Sequence, residues 1–175
     1  MGFQLSIVRD AKQTAGDLID SLRNEHVPEL VEINCDMCNS KRGRQRTLTI
    51  TQAPEILVIQ LARLQGEVFD GVYEEYRASD AVRYPEDLDL SQFNTAGKPL
   101  EYRLYGVVGH AGSKSGGHYI AAVRHSDDAG FSTISDHDVT QSHGGTVQEL
   151  LDLKYTYGGS KKTKFPWTSL LYIKQ

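Results

Sequence analysis

The sequence contains few cysteines, no long apolar run and no large excess of charge of one sign. Cysteine occurs only at positions 35 and 38 of the 175 residues, which is too few for the disulfide framework of a small secreted domain. The longest apolar run, Ile56–Leu61, is interrupted by Gln60 and is far too short to span a bilayer. We therefore expect an intracellular protein, cytoplasmic or nuclear, that has no membrane partner.

The charge balance gives no sign of a nucleic-acid partner. The formal net charge is -4, from 19 basic and 23 acidic side chains. Because the two signs are mixed along the chain, no broad basic surface is available to attract a polyanion. One basic run, Lys41–Arg46, is the alternative signal for nucleic-acid contact, but it lacks interleaved aromatic residues. We interpret it as the solvated tip of a hairpin.

Hydrophobic patterning predicts a protein made mostly of strands. Alternating or dense apolar runs bounded by glycine, proline or aspartate are typical of strands, whereas two segments have helical spacing. The predicted strands are 3–7, 30–34, 46–51, 56–59, 102–109, 118–124, 131–135 and 169–173, with 56–59 buried on both faces; the predicted helices are 14–22, capped by Thr14, and 146–153. This order predicts the α+β class with an antiparallel sheet as the core.

The most informative segment is a glycine pair, Gly116-Gly117, followed by His118 at the start of a predicted strand. The sheet fixes such an imidazole, while the flexible turn before it leaves room for a substrate, and a general base needs both conditions. Taken alone, the pattern is also typical of an ordinary hairpin with a histidine at the strand end. A functional interpretation therefore needs a second element.

The second element is the polar end of the following strand, at Ser135 and Asp136. Two neighbouring antiparallel strands bring either residue beside His118, where an acceptor holds the imidazole in one tautomer. Asp136 has an alternative role, because Ser-Asp-His-Asp is also good turn-forming chemistry. The histidines at 110, 125, 137 and 143 are assigned to polar loops and strand ends and receive no catalytic role.

These elements together resemble the ubiquitin-specific proteases, a family of papain-like cysteine peptidases with fingers, palm and thumb subdomains. The upstream segment from Ala53 to Leu64 is similar to the P-x-x-L-x-(I/V)-x-L-x-R-F strand of that family, with Leu64 in place of the usual phenylalanine. The Leu-Leu-Tyr sequence at 170–172 is similar to its closing strand. The residues that match its H-x-G, G-H-Y and aromatic-x3-polar-Asp-x2-Val motifs are His110, Gly112, Gly117, His118, Tyr119, Phe131, Ser135, Asp136 and Val139.

The resemblance implies part of a cysteine-type deubiquitinase. Such an enzyme cleaves isopeptide or peptide bonds after the C-terminal Gly-Gly of ubiquitin, so the implied partners are ubiquitin and ubiquitinated proteins. The implied organisation is one partial catalytic domain over residues 1–175. It is divided into a fingers-like segment, 1–52, and a palm-like segment, 53–175, with few helices and a finger-like hairpin.

The resemblance also assigns roles to individual residues. His118 is the implied general base. Ser135 takes the third catalytic position, where the family usually has asparagine or aspartate, and Asp136 is a further source of negative charge. The implied substrate-binding residues are Gly116, Gly117 and Tyr119.

The nucleophile of a cysteine peptidase is missing from this pattern. The thiolate is commonly placed at a helix N-terminus, where its pKa is lowered, but Cys35 and Cys38 lie in a turn-like segment at 35–44. We therefore expect the chain alone to be inactive. Two interpretations stay open: the Cys box lies outside this chain, or the protein is a catalytically inactive ubiquitin-binding or scaffold module derived from the same fold.

The two cysteines match the second of two C-x2-C pairs that bind structural zinc in many members of the family. Structural zinc prefers four protein ligands, and the chain has no further cysteine. His26 is a candidate third ligand, but a surface histidine in a loop is the simpler interpretation. We expect no metal and no other cofactor unless further ligands come from outside the chain. A small zinc or nucleic-acid module is the third hypothesis.

Overall fold

A computed structural model of the protein describes residues 2–5, 15–77, 81–113, 116–126, 129–143, 146–152, 154–155, 163–164 and 166–175. Within these ranges strands far outnumber helices, which confirms the predicted α+β class. In chain order the elements are β1 (Gly2–Leu5), β2 (Ala15–Asp17), α1 (Leu18–His26), β3 (Glu29–Asn34), β4 (Lys41–Arg46), β5 (Ile56–Leu61), β6 (Leu64–Phe69), β7 (Val72–Arg77), β8 (Ala81–Arg83), β9 (Asp87–Asp89), a 3-10 helix (Ser91–Phe93), β10 (Glu101–Ser113), β11 (Gly116–Ser126), β12 (Ala129–Ser135), β13 (Asp138–His143), α2 (Val147–Asp152), β14 (Lys154–Tyr155), β15 (Thr163–Lys164) and β16 (Trp167–Lys174).

An eight-stranded sheet forms the centre of the fold. Its order is β1-β5-β16-β10-β11-β12-β13, with β9 paired to β10 beside this path. All its pairings are antiparallel except that of β1 with β5, which is parallel. The predicted antiparallel core is therefore confirmed. The parallel pair is an addition that the sequence does not indicate, because pairing between strands far apart in the chain leaves no local signal.

The strands β10 to β13 form a meander in which neighbours in sequence are neighbours in the sheet. The predicted strands 102–109, 118–124 and 131–135 are confirmed as β10, β11 and β12. The strand β13 is not predicted from its sequence, because DVTQSH is polar and its first residues are exposed. In the register of the meander, Ala121 lies opposite Ile134, and Ser135 lies opposite Asp138.

The strand β5 shows how burial divides the two faces of the sheet. Leu57, Ile59 and Leu61 are buried, whereas Ile56 and Gln60 are exposed. The prediction that this strand is buried on both faces is therefore wrong. A dense run of β-branched and aliphatic residues also fits a strand whose second face is only partly covered, and periodicity alone does not separate the two cases.

The core lies against one face of the main sheet. Its largest fully buried side chains include residues of β1, β5, β10, β12 and β16 and of α1. Burying each large apolar side chain contributes about 1.5–3 kcal/mol. The largest members of this core are Leu5, Leu18, Leu22, Ile59, Leu104, Phe131, Tyr102 and Tyr172.

The helix α1 begins and ends about one turn later than the sequence predicts. Asp17 is its N-cap, since the Asp17 carboxylate accepts from the backbone N–H of Ile19 at 2.9 Å; such a cap contributes about 1 kcal/mol. The predicted cap, Thr14, lies outside the described residues. The helix continues to His26 and stops before Pro28. The expectation that His26 lies in a loop is therefore wrong.

The hairpin β3–β4 stands outside the main sheet as a separate two-stranded sheet. Its second strand is Lys41–Arg46. The predicted turn at 35–44 therefore ends too late, and the predicted strand at 46–51 starts too late. Cross-strand ion pairs join Arg46 to Glu29 at 2.6 Å and Lys41 to Glu32 at 3.5 Å. The basic run therefore pairs with acidic side chains across the hairpin, which apolar alternation does not reveal.

A second separate hairpin, β6–β7, is not predicted from the sequence at all. Asp70 and Gly71 form its turn, and both have positive φ, 50° and 80°. Asp-Gly is a preferred pair for the two-residue turns that need this conformation. The hairpin is missed because its strands are polar and lack the alternation of a half-buried strand.

The proposed division of the chain at residue 52 stays a prediction. The hairpin β3–β4 comes before this position and most strands of the main sheet come after it. However, β1 joins the main sheet from the N-terminal side. No helix in the described part of the chain is long and apolar enough to cross a membrane.

Candidate active site

The tip of the β10–β11 hairpin is built from glycines on both strands. Gly112 lies opposite Gly117, and a Cβ added to Gly117 would lie 2.4 Å from the carbonyl oxygen of Ala111. A Cβ on Gly116 meets no described atom within 4 Å beyond its chain neighbours. The two glycines therefore differ. The backbone itself requires Gly117, whereas packing among the described residues does not explain Gly116.

His118 is fixed by the regular backbone of β11 near its start. Side chains alternate along a strand, and His118 points to the same face as the buried residues Ile120 and Ala122. Its side chain is 19% exposed. The imidazole is therefore held by the sheet while part of it remains exposed.

Ser135 lies within hydrogen-bond distance of this imidazole. The Nε2 atom of His118 is 2.7 Å from Oγ of Ser135. The register explains this contact. Because Ala121 pairs with Ile134, the next residue of β12, Ser135, lies on the same face of the sheet as His118 and close to it. In the Nε2–H tautomer the imidazole donates to Ser135, and Nδ1 is then the nitrogen that accepts protons.

Asp136 lies in the turn after β12 and also close to His118, so its position is compatible with both roles that the sequence leaves as alternatives. It begins the two-residue turn between β12 and β13 and has a φ of 53°, a left-handed conformation that aspartate tolerates. Its Oδ2 atom also lies 3.8 Å from Nε2 of His118. Because the side chain is 75% exposed, water screens its attraction to an imidazolium. The structure brings the three residues together, and their catalytic roles stay predictions.

Tyr119 and His110 form an aromatic pair on the other face of the hairpin. Tyr119 is 65% exposed and lies opposite His110 in the register. The ring centroids are 4.5 Å apart and the planes are inclined by 47°. The assignment of His110 to a loop or strand end is wrong, because β10 continues to Ser113. Its place in the H-x-G motif is a signal that the sequence already contains.

The other histidines lie away from this tip. His125 is near the end of β11, where its Nε2 atom is 2.8 Å from Oγ of Ser132. His137 is exposed in the turn between β12 and β13. The side chain of His143 lies outside the described residues.

Arg63, to which the sequence analysis gives no role, anchors the start of the closing strand. Its side chain is buried, and its Nε and Nη2 atoms donate to the carbonyl oxygen of Trp167 at 3.1 and 2.8 Å. Trp167 lies opposite Gly109 on β10. Arg63 therefore supports β16, the strand that pairs with β10, on which His110 lies. The sequence signal is a charged residue directly after a buried apolar strand.

The groups whose pKa shifts most clearly lie outside this site. Burial raises the pKa of Tyr84 well above its usual range, although the charge of Arg63 opposes the shift. Burial also raises the pKa of Tyr172 and Tyr102. These phenols belong to the core of the fold. The candidate site is identified by its geometry.

Cys35 and Cys38 lie at the tip of the β3–β4 hairpin, in a turn. The Sγ atom of Cys38 is 2.8 Å from Oγ of Ser40, and hydrogen bonds from Ser40 lower the pKa of the Cys38 thiol. The described contacts of both cysteines stay within residues 35–40. Neither cysteine lies at the start of a helix.

The described residues do not by themselves fit the structural zinc site that the family resemblance implies. Such a site needs four ligands, and the turn offers two. Nδ1 of His26 is 2.7 Å from the Leu22 carbonyl oxygen, and its ring stacks on Phe93 with centroids 4.0 Å apart. Among the described residues, no group of three or more metal-binding side chains occurs. The expectation of no metal stays a prediction.

Comparison with known proteins agrees with this description. A family model, ubiquitin carboxyl-terminal hydrolase, matches residues 17–162. The ubiquitin carboxyl-terminal hydrolase nonstop of Drosophila melanogaster is 26% identical over 147 residues, which cover 79% of this chain and 28% of the relative. Ubiquitin carboxyl-terminal hydrolase 25 of Arabidopsis thaliana is 36% identical over 143 residues, which cover 77% of this chain and 20% of the relative.

Solved structures show the same fold. The SAGA DUB module of Ubp8, Sgf11, Sus1 and Sgf73 bound to monoubiquitin matches with a TM-score of 0.73 and 24% identity, over 98% of this chain and 34% of that chain. The same module bound to ubiquitin aldehyde matches with a TM-score of 0.72 and 23% identity, over 98% of this chain and 35% of that chain. The chain thus spans about a third or less of the length of the proteins that it matches.

Proposed function

The chain belongs to the ubiquitin carboxyl-terminal hydrolase family, and from this premise we propose that it is the histidine-bearing part of a cysteine-type deubiquitinase. Such an enzyme cleaves the isopeptide or peptide bond after the C-terminal Gly-Gly of ubiquitin. The observation that carries the proposal is the cluster at the hairpin tip, where Ser135 Oγ and Asp136 Oδ2 lie 2.7 and 3.8 Å from Nε2 of His118.

His118 is the proposed general base. With its Nε2–H directed at Ser135, its Nδ1 atom takes the proton from a cysteine thiol. The thiolate attacks the carbonyl carbon of the terminal glycine, and the imidazolium then gives its proton to the leaving amine. Asp136 stabilises the imidazolium more than Ser135 does, because a neutral hydroxyl attracts a cation less strongly than a carboxylate.

The thiol in this scheme is neither Cys35 nor Cys38. Both belong to the tip of a separate two-stranded sheet, and their described contacts stay within that turn. The proposed nucleophile therefore lies outside these 175 residues. The chain alone binds ubiquitin but does not turn it over.

Gly116 and Tyr119 are the proposed contacts of the ubiquitin tail. The open space beside Gly116 and the exposed ring of Tyr119 both lie at the hairpin tip next to His118. A narrow channel lined by small residues admits glycine and excludes larger side chains by steric exclusion. Gly117 lies between them, and its contact with Ala111 gives it a structural role as well.

The alternative function is a catalytically inactive ubiquitin-binding or scaffold module. Ser135 favours it, because a hydroxyl stands where the family usually has asparagine or aspartate. The high exposure of Asp136 favours it too, because solvent weakens the attraction between this carboxylate and His118. This alternative predicts that ubiquitin binding persists without turnover in every longer form of the protein.

An electrophilic ubiquitin probe tests the proposed function on the chain as it stands. Purified chain is incubated with ubiquitin that carries a C-terminal vinyl sulfone, covalent adducts are measured by mass spectrometry, and binding of unmodified ubiquitin is measured by calorimetry. We expect binding without an adduct. An adduct that disappears in Cys35→Ser or Cys38→Ser contradicts the assignment of the nucleophile, and absence of binding contradicts the role in ubiquitin recognition.

The same probe separates the enzyme from the inactive module. In a longer natural chain that contains these residues, the enzyme forms an adduct at a cysteine outside residues 1–175, and the inactive module forms none. The experiment also compares two variants of the longer chain, His118→Ala and its matched control His125→Ala. The control is matched because both histidines lie on β11 and hydrogen-bond a serine of β12.

A further inference from the structure

His110 contacts the two residues that flank His118 in sequence. Its ring lies against that of Tyr119, with the centroids 4.5 Å apart and the planes inclined by 47°. The same ring covers Gly117, because a Cβ added there would lie 2.4 Å from Nε2 and 2.6 Å from Cε1 of His110. The imidazole of His110 therefore occupies the space that a side chain at position 117 would need.

The ring of His110 lies on the opposite face of the hairpin from His118. His110 pairs with Tyr119, and Ala111 pairs with His118. Paired residues share a face and successive residues alternate. His110 therefore supports the backbone of β11 from the face opposite to the His118 side chain. It acts on His118 through Gly117 and Tyr119 and not by contact with the reacting atoms.

The backbone of His110 is itself anchored to the closing strand. Its N–H donates to the carbonyl oxygen of Pro166 over a long 3.5 Å bond. The next carbonyl oxygen, that of Trp167, accepts the two hydrogen bonds from Arg63. The position of His110 is thus tied to a buried guanidinium in the core of the fold.

From these contacts we propose that His110 is a positioning residue, which holds residues 117–119 so that Nε2 of His118 stays within reach of Ser135. This inference rests on the proposed function. It assigns His110, the histidine of the H-x-G motif, to the support of His118. It also explains why glycine precedes His118, because no larger residue leaves room for the supporting ring. A displaced base costs rate without weakening ubiquitin binding.

The imidazole nitrogen signals of His118 test this inference directly in the 175-residue chain. Long-range proton–nitrogen correlation spectra show whether His118 occupies one tautomer, as the proposed donation from its Nε2–H to Ser135 requires. We expect one tautomer in the native chain and in His110→Phe, which keeps a flat ring against Tyr119. We expect a mixture of tautomers in His110→Ala. His125→Ala, a matched change on the same hairpin, leaves the His118 signals unchanged.

The kinetic consequence is measured in the longer enzyme that supplies the thiol. We expect His110→Ala to lower kcat about tenfold and to change KM by about twofold or less, because misplacement of a base acts on the chemical step. His110→Phe restores most of kcat. If His110→Ala fails to fold, His110→Leu replaces it, since leucine fills the space above Gly117 without a flat ring.

Unchanged His118 signals in a folded His110→Ala chain overturn the positioning role. A loss confined to KM also overturns it and assigns His110 to substrate contact instead. Both results are distinct from failure of the proposed function. If the proposed function is wrong, the native chain shows no ubiquitin binding, or His118 shows no preferred tautomer in the native chain and in every variant at position 110.

Discussion

Two histidine–serine hydrogen bonds join the same pair of strands, β11 and β12. At one end His118 Nε2 lies 2.7 Å from Ser135 Oγ, and at the other end His125 Nε2 lies 2.8 Å from Ser132 Oγ. Because positions 118 and 125 differ by an odd number, the two histidines lie on opposite faces of the sheet. The two bonds are almost equal in length, so any functional difference between them comes from their surroundings.

The surroundings of the two pairs differ in charge, in the neighbouring backbone and in which partner is buried. His118 is mostly buried beside the carboxylate of Asp136 and follows the glycine pair at the start of β11. His125 is exposed, and it is its partner Ser132 that is almost completely buried. A histidine–serine bond is therefore not sufficient to define a site. The adjacent carboxylate and the preceding glycine pair are what distinguish the His118 pair.

The largest expected difference between the pairs is in turnover by the longer enzyme. We expect His118→Ala to lower kcat/KM by about a thousandfold or more, because it removes the proposed general base. We expect His125→Ala to change it by about twofold or less, as for a residue remote from the chemistry. Hydrolysis of a fluorogenic ubiquitin substrate measures both. Equal losses in the two variants would show that the two pairs do not differ in function.

The next largest effect concerns the glycine pair before His118, which has no counterpart in the sequence beside His125. We expect Gly117→Ala to lower the free energy of unfolding of the 175-residue chain by about 2–3 kcal/mol, because its Cβ meets the backbone of Ala111 and the ring of His110. Gly116→Ala changes stability by about 0.5 kcal/mol or less, since its Cβ meets open space among the described residues. Urea denaturation measures both.

Gly116→Ala also tests the proposed contact with the ubiquitin tail. If Gly116 faces the tail, the stable Gly116→Ala chain binds intact ubiquitin more weakly, and it binds ubiquitin without its last two residues as well as the native chain does. Calorimetry measures these affinities. Equal affinity of the variant and the native chain for intact ubiquitin would remove Gly116 from the substrate site.

The smallest expected effect separates the two candidates for orienting His118. In the longer enzyme we expect Asp136→Ala to lower kcat about tenfold and Ser135→Ala to lower it less, because a carboxylate stabilises an imidazolium more than a hydroxyl does. Asp138→Ala is the matched control, since Asp138 is an exposed acid at the other end of the same turn. A larger loss in Ser135→Ala than in Asp136→Ala would reject the assignment of charge to Asp136.

The glycine pair, His118 and the polar pair at 135–136 could be predicted from the sequence because each lies in a short segment with its own signal. Strands joined by short turns pair with their neighbours, so local order along β10, β11 and β12 is enough to bring these segments together. The bounds of α1 were harder to predict, because the cap at Asp17 and a cap at Thr14 are both compatible with the same apolar spacing.

Other features depend on contacts between segments far apart in the chain. The parallel pairing of β1 with β5 and the hydrogen bonds from Arg63 to Trp167 leave no periodic pattern in either partner. The exposure of Ile56 is a similar case, because an apolar run does not indicate how much of its second face is covered. The hairpin β6–β7 is visible in the sequence only through its Asp-Gly turn, because its strands are polar and lack the alternation of a half-buried strand.

The sequence by itself determined which residues are available for acid–base chemistry at the hairpin tip, and that its two cysteines lie apart from them in a turn. Only the tertiary structure decided that the Asp136 carboxylate lies within 3.8 Å of His118 Nε2 and that the ring of His110 lies over Gly117. The physical reason is that residue type and spacing specify local backbone geometry. Distances across strands depend instead on register, turn conformation and side-chain packing, which the whole fold determines together.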